Sequence, residues 1–242
     1  MGLTGLDGAC AEQVVVPEKA VHPLPAGLDM EVGALVEPAT VAFRALARAQ
    51  PLAGRRLVVL GAGPVGLLVA ALARAQGAGW VAVAGLEEER LRVARALGCD
   101  ETFGPAEGDL EQAVLAATAG EGADVVIEAT GDARLIPTAL AVAAPGADIV
   151  LLSLYKERPV MLVADAIVSK DLTIHGSIAS PGVWERTLRL LGGRVVDLRP
   201  LISHRFPLAR ADAAFQAARR RDSGAIKVLI LPHASGVGEV DR

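Results

Sequence analysis

Gly61, Gly63 and Gly66, in the run Gly61-Ala62-Gly63-Pro64-Val65-Gly66, have the type and spacing that lets a backbone close on a diphosphate. Gly61 permits a tight turn, Gly63 leaves room for phosphate oxygens, and Gly66 lets a helix pack against a strand. Pro64 suits a first helical turn, whose N–H would be unpaired anyway. The free N–H groups and positive end of the following helix then face an anion. The context matches that chemistry: the apolar run Leu57-Val58-Val59-Leu60 precedes the loop, and an Ala/Leu-rich helical stretch follows to Gln76. Strand, glycine turn and helix are the opening of a dinucleotide-binding βαβ unit.

The elements beyond the loop alternate. Val81–Ala84 reads as a strand and Glu87–Leu97 as a helix, acidic at its start and stopped by Gly98. A helical stretch over Asp109–Ala119 precedes a strand, Asp124–Ala129, that ends in Thr130-Gly131. Arg134–Ala144 is expected to be helical up to Pro145-Gly146, with a strand over Asp148–Leu154. Leu172–His175 is β-like before Gly176-Ser177, and Val183–Leu191 is helical. Such alternation means an α/β protein with a doubly wound parallel sheet, a Rossmann arrangement. Ligands of such sheets sit outside the carboxyl ends of the strands. The candidate site is therefore Gly61–Gly66, Gly85, Thr130-Gly131, Ser153–Tyr155 and Gly176–Ser180.

The flanks read differently. Gln13–Val16 is strand-like, followed by Pro17, Pro23 and Pro25, with no helix expected before Met30. At the other end come a β-like Ile202–Phe206, a helix near Ala211–Arg220 and a strand over Ala225–Leu231. Two incomplete ends around a compact block suggest a second domain built from both, with divisions at 1–36, 37–198 and 199–242.

Composition narrows the function. The chain has 242 residues and a net charge of −4, with 24 Lys and Arg against 28 Asp and Glu. That balance gives no reason to expect nucleic acid, and the basic run Arg219-Arg220-Arg221 reads as a solvated helix end. No stretch has the unbroken apolar length of a membrane span. Cys10 and Cys99 are isolated thiols, which suits a reducing cytoplasm.

Several motifs then fall in a telling order: Ala34-Leu35-Val36-Glu37-Pro38, the glycine loop, Glu89-Arg90-Leu91 with Ala96-Leu97-Gly98, and Glu128-Ala129-Thr130-Gly131. Ile202-Ser203-His204-Arg205-Phe206-Pro207-Leu208 and Ile226-Lys227-Val228 complete the set. With them the chain resembles the medium-chain zinc-dependent alcohol dehydrogenases, closest to the sorbitol/threonine dehydrogenase-like subgroup, over about Gly8 to Pro232. The resemblance implies an NAD(P)-dependent oxidoreductase acting on a small alcohol or carbonyl. It also implies a homo-oligomer, and flanks that are remnants of a GroES-like catalytic domain. By position, Val65 matches a residue of the pyrophosphate loop and Arg90 an arginine reaching the adenosine ribose. Leu152-Ser153-Leu154 and Ser177-Ile178-Ala179 match segments flanking the nicotinamide.

The family's zinc ligands, a Cys and a Gly-His-Glu motif, have no counterpart here. The chain begins near where that barrel would be ending, at Gly8-Ala9-Cys10-Ala11-Glu12-Gln13. Zinc needs three or four converging ligands, and His22, His175, His204, His233 and the two Cys show no such spacing. Zinc is therefore not expected from this chain alone. Glu37 reads equally as a stranded site residue and as an acidic residue in a first helical turn. Ser153, Tyr155, Ser177 and Ser180 read equally as oxyanion donors and as strand-end residues. At the adenosine end, Gly85 stands where a carboxylate usually holds the ribose hydroxyls, which permits NADP, while Glu87, Glu88 and Glu89 oppose its 2′-phosphate. Two readings follow: an oxidoreductase, or a non-catalytic dinucleotide-binding or interaction module. Residues 8–16 and 202–231 are expected to leave strand edges and apolar surface uncovered, favouring self-association.

Overall fold

In the computed structural model, residues 5, 7–157, 159–193 and 195–232 are described. His233 and the rest of 233–242 lie outside them, as does the Arg221 side chain. The chain enters through short helical turns, α1 (Met30–Gly33) among them, and then α2 (Val36–Leu46). Next come β1 (Arg56–Leu60), α3 (Pro64–Ala75), β2 (Trp80–Ala84), α4 (Glu88–Ala96), β3 (Glu101–Phe103) and α5 (Leu110–Ala117). They are followed by β4 (Ala123–Glu128), α6 (Leu135–Val142), β5 (Ala143–Leu151), α7 (Ala164–Ser169), β6 (Thr173–Gly176) and α8 (Trp184–Gly192). The chain closes with β7 (Ile202–Pro207), α9 (Ala211–Arg219) and β8 (Lys227–Leu231).

Six strands form one parallel sheet in the order β3-β2-β1-β4-β5-β6. The order reverses beside β1, so the crevice at its carboxyl end is where such a sheet takes a ligand. Alternate residues explain why both faces are covered. Leu57, Val59, Val81, Val83, Val125 and Ile127 point into a core shared with α2 and α3. Val58, Leu60, Ala82, Ala84 and Val126 point the other way, against residues of α5 and α6. A strand buried on both sides must be apolar throughout, which is how these strands read.

The α/β architecture and the alternation hold, with four corrections. Gln13–Val16 is not a strand: the segment is irregular, and Val15 is 95% exposed. Its β propensity finds no partner ladder, and Pro17 removes a donor. A short 3-10 turn, Glu18–Ala20, also precedes Met30. Pro145-Gly146 is not the end of a helix but lies inside β5, which begins at Ala143 directly after α6. The register with β4 shifts between Ala123 and Val125, and such an irregularity tolerates a proline. β5 ends at Leu151, so Leu152–Leu154 is loop. β7 and β8 pair in a separate two-stranded parallel sheet. Their Ile202 and Leu229 nevertheless join the α2–α3 core, as do Val32 and Leu35 from the amino-terminal side.

Candidate dinucleotide site at the carboxyl edge of the sheet

The glycine loop has the geometry its sequence called for. Gly61 has φ +115°, which disfavours a side chain, and a Cβ there would stand 2.7 Å from the Thr130 Cγ2. A Cβ on Gly63 would meet nothing within 4 Å, so that position opens into free space. Gly63 caps α3 with no side-chain hydrogen bond, and Pro64 is its first residue. Among the described residues the first-turn N–H groups have no side-chain acceptor, and with a positive helix end behind them they are the donor set a diphosphate needs. Val65 lies beside them, half-buried. These residues fit a dinucleotide diphosphate.

Contacts run from here along the strand ends. Gly85, after β2, is so close to the loop that a Cβ there would stand 2.6 Å from the Ala62 Cβ and 3.1 Å from the Leu91 Cδ2. The missing ribose-binding carboxylate is thus also a position with little room for a side chain. Thr130 leans on Gly61, and a Cβ on Gly131 would lie 3.2 Å from the Leu154 carbonyl and 3.3 Å from the Ser153 Cβ. The Ser177 N–H donates to the Leu151 carbonyl at 3.0 Å, bringing the Ser177–Ala179 segment beside Leu152. The expected loop, Gly85, Thr130, Leu152–Leu154 and Ser177–Ala179 therefore form one rim. Leu154 and Ile178 stand exposed on it, 77% and 68%. The Ser177 Oγ is buried without a partner among the described residues, and Ala179 has a left-handed backbone, φ +53°.

Three expected residues stand differently. Arg90 turns to the carboxy-terminal segment, donating to the Ala225 carbonyl at 3.2 Å, with Glu87 3.8 Å away. Glu37 is exposed in the first turn of α2, and its carbonyl accepts from the Thr40 hydroxyl at 2.6 Å. The Tyr155 hydroxyl donates to the Glu128 Oε2, and burial first, then this bond, push the phenol well above its ordinary value.

Glu128 is the residue that sequence reasoning passed over as a site member. It ends β4, is fully buried, and accepts from the Thr130 N–H at 2.7 Å, the Thr130 hydroxyl, and the Gly131 N–H at 3.4 Å. A carboxylate directly after the apolar run Val125-Val126-Ile127 of a parallel strand was the available signal.

Among the described residues, no group of three or more His, Cys, Asp or Glu could hold a metal ion. His22 stacks on Trp184, His175 bonds Asp148 at 2.8 Å and His204 lies 3.0 Å from the Ser203 hydroxyl. Cys99 is pushed up to about 12, chiefly by burial. The described donor set does not fit a zinc site. A cavity of about 390 Å³ lies elsewhere, between the carboxyl ends of α3 and α4 and Val195–Asp197. Its Arg74 is already paired with Asp100, at 3.1 Å.

Known proteins share this arrangement. Residues 64–192 match the family model described as zinc-binding dehydrogenase. The chain is 35% identical over 235 residues to the L-threonine 3-dehydrogenase of Bacillus subtilis (strain 168), covering 95% of this chain and 67% of that protein. It is 31% identical to the (R,R)-butanediol dehydrogenase of Neisseria gonorrhoeae, covering 96% of this chain and 66% of that one. The solved 2R,3R-butanediol dehydrogenase of Bacillus subtilis superposes with a TM-score of 0.80 at 29% identity, over 87% of this chain and 60% of that chain. A zinc-binding dehydrogenase structure from Sinorhizobium meliloti 1021, bound to NADP, gives 0.83 at 29% identity, over 90% and 64%. The chain thus spans about two thirds of the length of these relatives. With its glycine cradle, its six-stranded order and these matches, the chain belongs to the zinc-dependent medium-chain dehydrogenase family.

Proposed function

We propose that this chain binds NAD(H) or NADP(H) along the rim and serves hydride exchange between the nicotinamide and a small alcohol or carbonyl. The observation that carries it is the loop from Gly61 to Gly66, open at Gly63 and closed by backbone contact elsewhere. The bound dinucleotide supplies the hydride; the chain supplies binding, orientation and shielding from water. Gly61, Gly63, Pro64, Val65 and Gly66 hold the diphosphate. Gly85 and Arg90 border the adenosine, and Thr130, Leu152–Leu154 and Ser177–Ala179 flank the nicotinamide. Ser153 and Glu37 are the remaining candidates for contact with substrate. Tyr155 is not assigned as a general acid, because its proton is committed to Glu128.

The division at 1–36, 37–198 and 199–242 belongs to the same proposal. It is supported by the six-stranded sheet lying within the middle segment and β7–β8 within the last. So does a homo-oligomer formed through β6, the sheet's outer strand, near which Val168, Ile174 and Ile178 are exposed. A cytoplasmic location is supported by the two free thiols. No helix among the described residues is long and apolar enough to cross a membrane.

A second reading, a dinucleotide-binding module without catalysis, draws on the unfit metal donor set and the committed Tyr155 phenol. One experiment separates them. Thermal unfolding of the chain with NADH or NADPH at a hundred times its dissociation constant should show about 2.7 kcal/mol of added stability. No shift from a cooperative fold would sink both readings. A shift without oxidation of the reduced cofactor by any small carbonyl would favour the module.

A further inference from the structure

Glu128 is buried at the centre of the rim, and the groups that donate to it are neutral: the Thr130 N–H and hydroxyl, the Gly131 N–H and the Tyr155 hydroxyl. A buried carboxyl group is tolerated only when its oxygens are satisfied. Its Oε1 takes both Thr130 donors, so Oε2 depends on Tyr155 and on the long 3.4 Å contact from Gly131. Tyr155 is the only tyrosine of the chain, and it sits on the loop that leaves β5. The loop turns immediately afterwards through two left-handed residues, Lys156 at φ +54° and Glu157 at φ +58°. Such backbone persists only where surrounding contacts over-determine it.

The side chain of Glu128 therefore ties three pieces of the rim. It closes its own turn at Thr130-Gly131, and through Thr130 it abuts Gly61 of the diphosphate loop. Through Tyr155 it holds the loop on which Ser153 and Leu154 lie against Gly131. That loop presents Leu154 uncovered after β5, and Ile178 is uncovered after the neighbouring β6. Bare aliphatic side chains on the loops that follow two paired strands suit the flat, weakly polar face of a nicotinamide ring.

We propose that Glu128 and Tyr155 form a latch that positions the Ser153–Tyr155 loop against the nicotinamide half of the dinucleotide. Both are positioning residues, and the proposal rests on the dinucleotide reading above. It predicts a split: the latch matters to the nicotinamide half of the ligand and not to the adenosine half.

The test is titration of the full chain with NADH, NADPH and ADP-ribose, which lacks the nicotinamide ring, for wild type, Tyr155→Phe and Glu128→Gln. Tyr155→Phe should weaken the preferred dinucleotide by about tenfold, the scale of one lost hydrogen bond to a carboxyl group. ADP-ribose should bind it as it binds wild type. Glu128→Gln keeps the volume but puts an amide donor among donors, and should give the same split. Equal binding of all ligands by wild type and variants would overturn the latch alone, as would parallel loss of dinucleotide and ADP-ribose. If wild type binds no dinucleotide, the underlying reading fails and the latch with it. Should the variants not fold, wild type decides: saturating dinucleotide must raise the ionisation midpoint of the lone tyrosine more than ADP-ribose does. Equal midpoints would overturn the proposal.

Discussion

The carbonyl oxygen of Gly61 lies only 2.0 Å from where a Cβ on Gly66 would stand, so helix α3 rests on the strand end through bare backbone. Gly63, between them, has φ −75° and ψ 173°, ordinary for any residue, with open space around it. The two glycines therefore separate folding from binding. Gly66→Ala should destabilise by about 3 kcal/mol, as an overpacked core does. Gly63→Ala should leave stability intact or raise it by about 0.4–1 kcal/mol, yet weaken NADH and NADPH binding sharply. Denaturant unfolding and cofactor titration read both; undiminished binding by Gly63→Ala would remove the diphosphate from this loop.

Restoring the usual ribose-binding acid should fail. In Gly85→Asp the new Cβ would stand 2.6 Å from the Ala62 Cβ, and the loop must shift to admit it. We expect a loss of about 1–3 kcal/mol and no gain in preference for NADH over NADPH. A stable variant that now selects NADH would show that the loop yields easily.

Tyr155 should titrate far above the ordinary tyrosine value of about 10, because burial and the bond to Glu128 both favour the neutral phenol. Its folded value is raised, so the stability it contributes is present below about pH 10 and declines as pH rises beyond that. Glu128→Gln should bring the midpoint down. Alkaline absorbance titration follows this one phenol, and an ordinary midpoint in wild type would contradict the contact.

Acid should loosen two joints. The Arg205 hydrogen bonds, at 2.6, 2.9 and 3.0 Å, hold Glu31 below its ordinary value of 4.5 and tie α1 to β7. At Asp124 burial works to raise the carboxyl, but Arg56, bonding at 2.8, 3.0 and 3.2 Å, outweighs it and leaves the value below 3.8. Both folded values are lowered, so this stability is present above about pH 4.5 and lost as pH falls through them. Urea midpoints should drop over that window and drop less in Glu31→Gln; an equal drop would exclude the Arg205 pair as a cause.

The free edge of β6 carries Ile174, 38% exposed and unpaired on its outer side among the described residues. Ile174→Lys should convert an associated chain to monomer in sedimentation equilibrium, since a lysine on an edge strand blocks pairing. An unchanged mass would move the interface elsewhere.

Much of the fold was legible because the information is local. Leu57–Leu60, Val81–Ala84 and Asp124–Ile127 declare buried parallel strands by their own composition, and the Gly61–Gly66 spacing declares the turn between strand and helix. The same locality explains the misreadings. Gln13–Val16 has strand propensity but no neighbour to pair with, and Pro145-Gly146 looks like a stop until β4 lies alongside and shifts its register. Gly85 showed only that an acid is absent; Ala62 and Leu91, packed against it, decide that there is little room for one. Glu128 and Tyr155 are 27 residues apart, and no periodicity links them. The sequence by itself determined the central strands of the sheet, which turn can take a diphosphate, and which family the chain resembles. Only the tertiary structure decided that a buried carboxyl group needs a distant phenol, because satisfying a desolvated oxygen depends on what the sheet brings beside it.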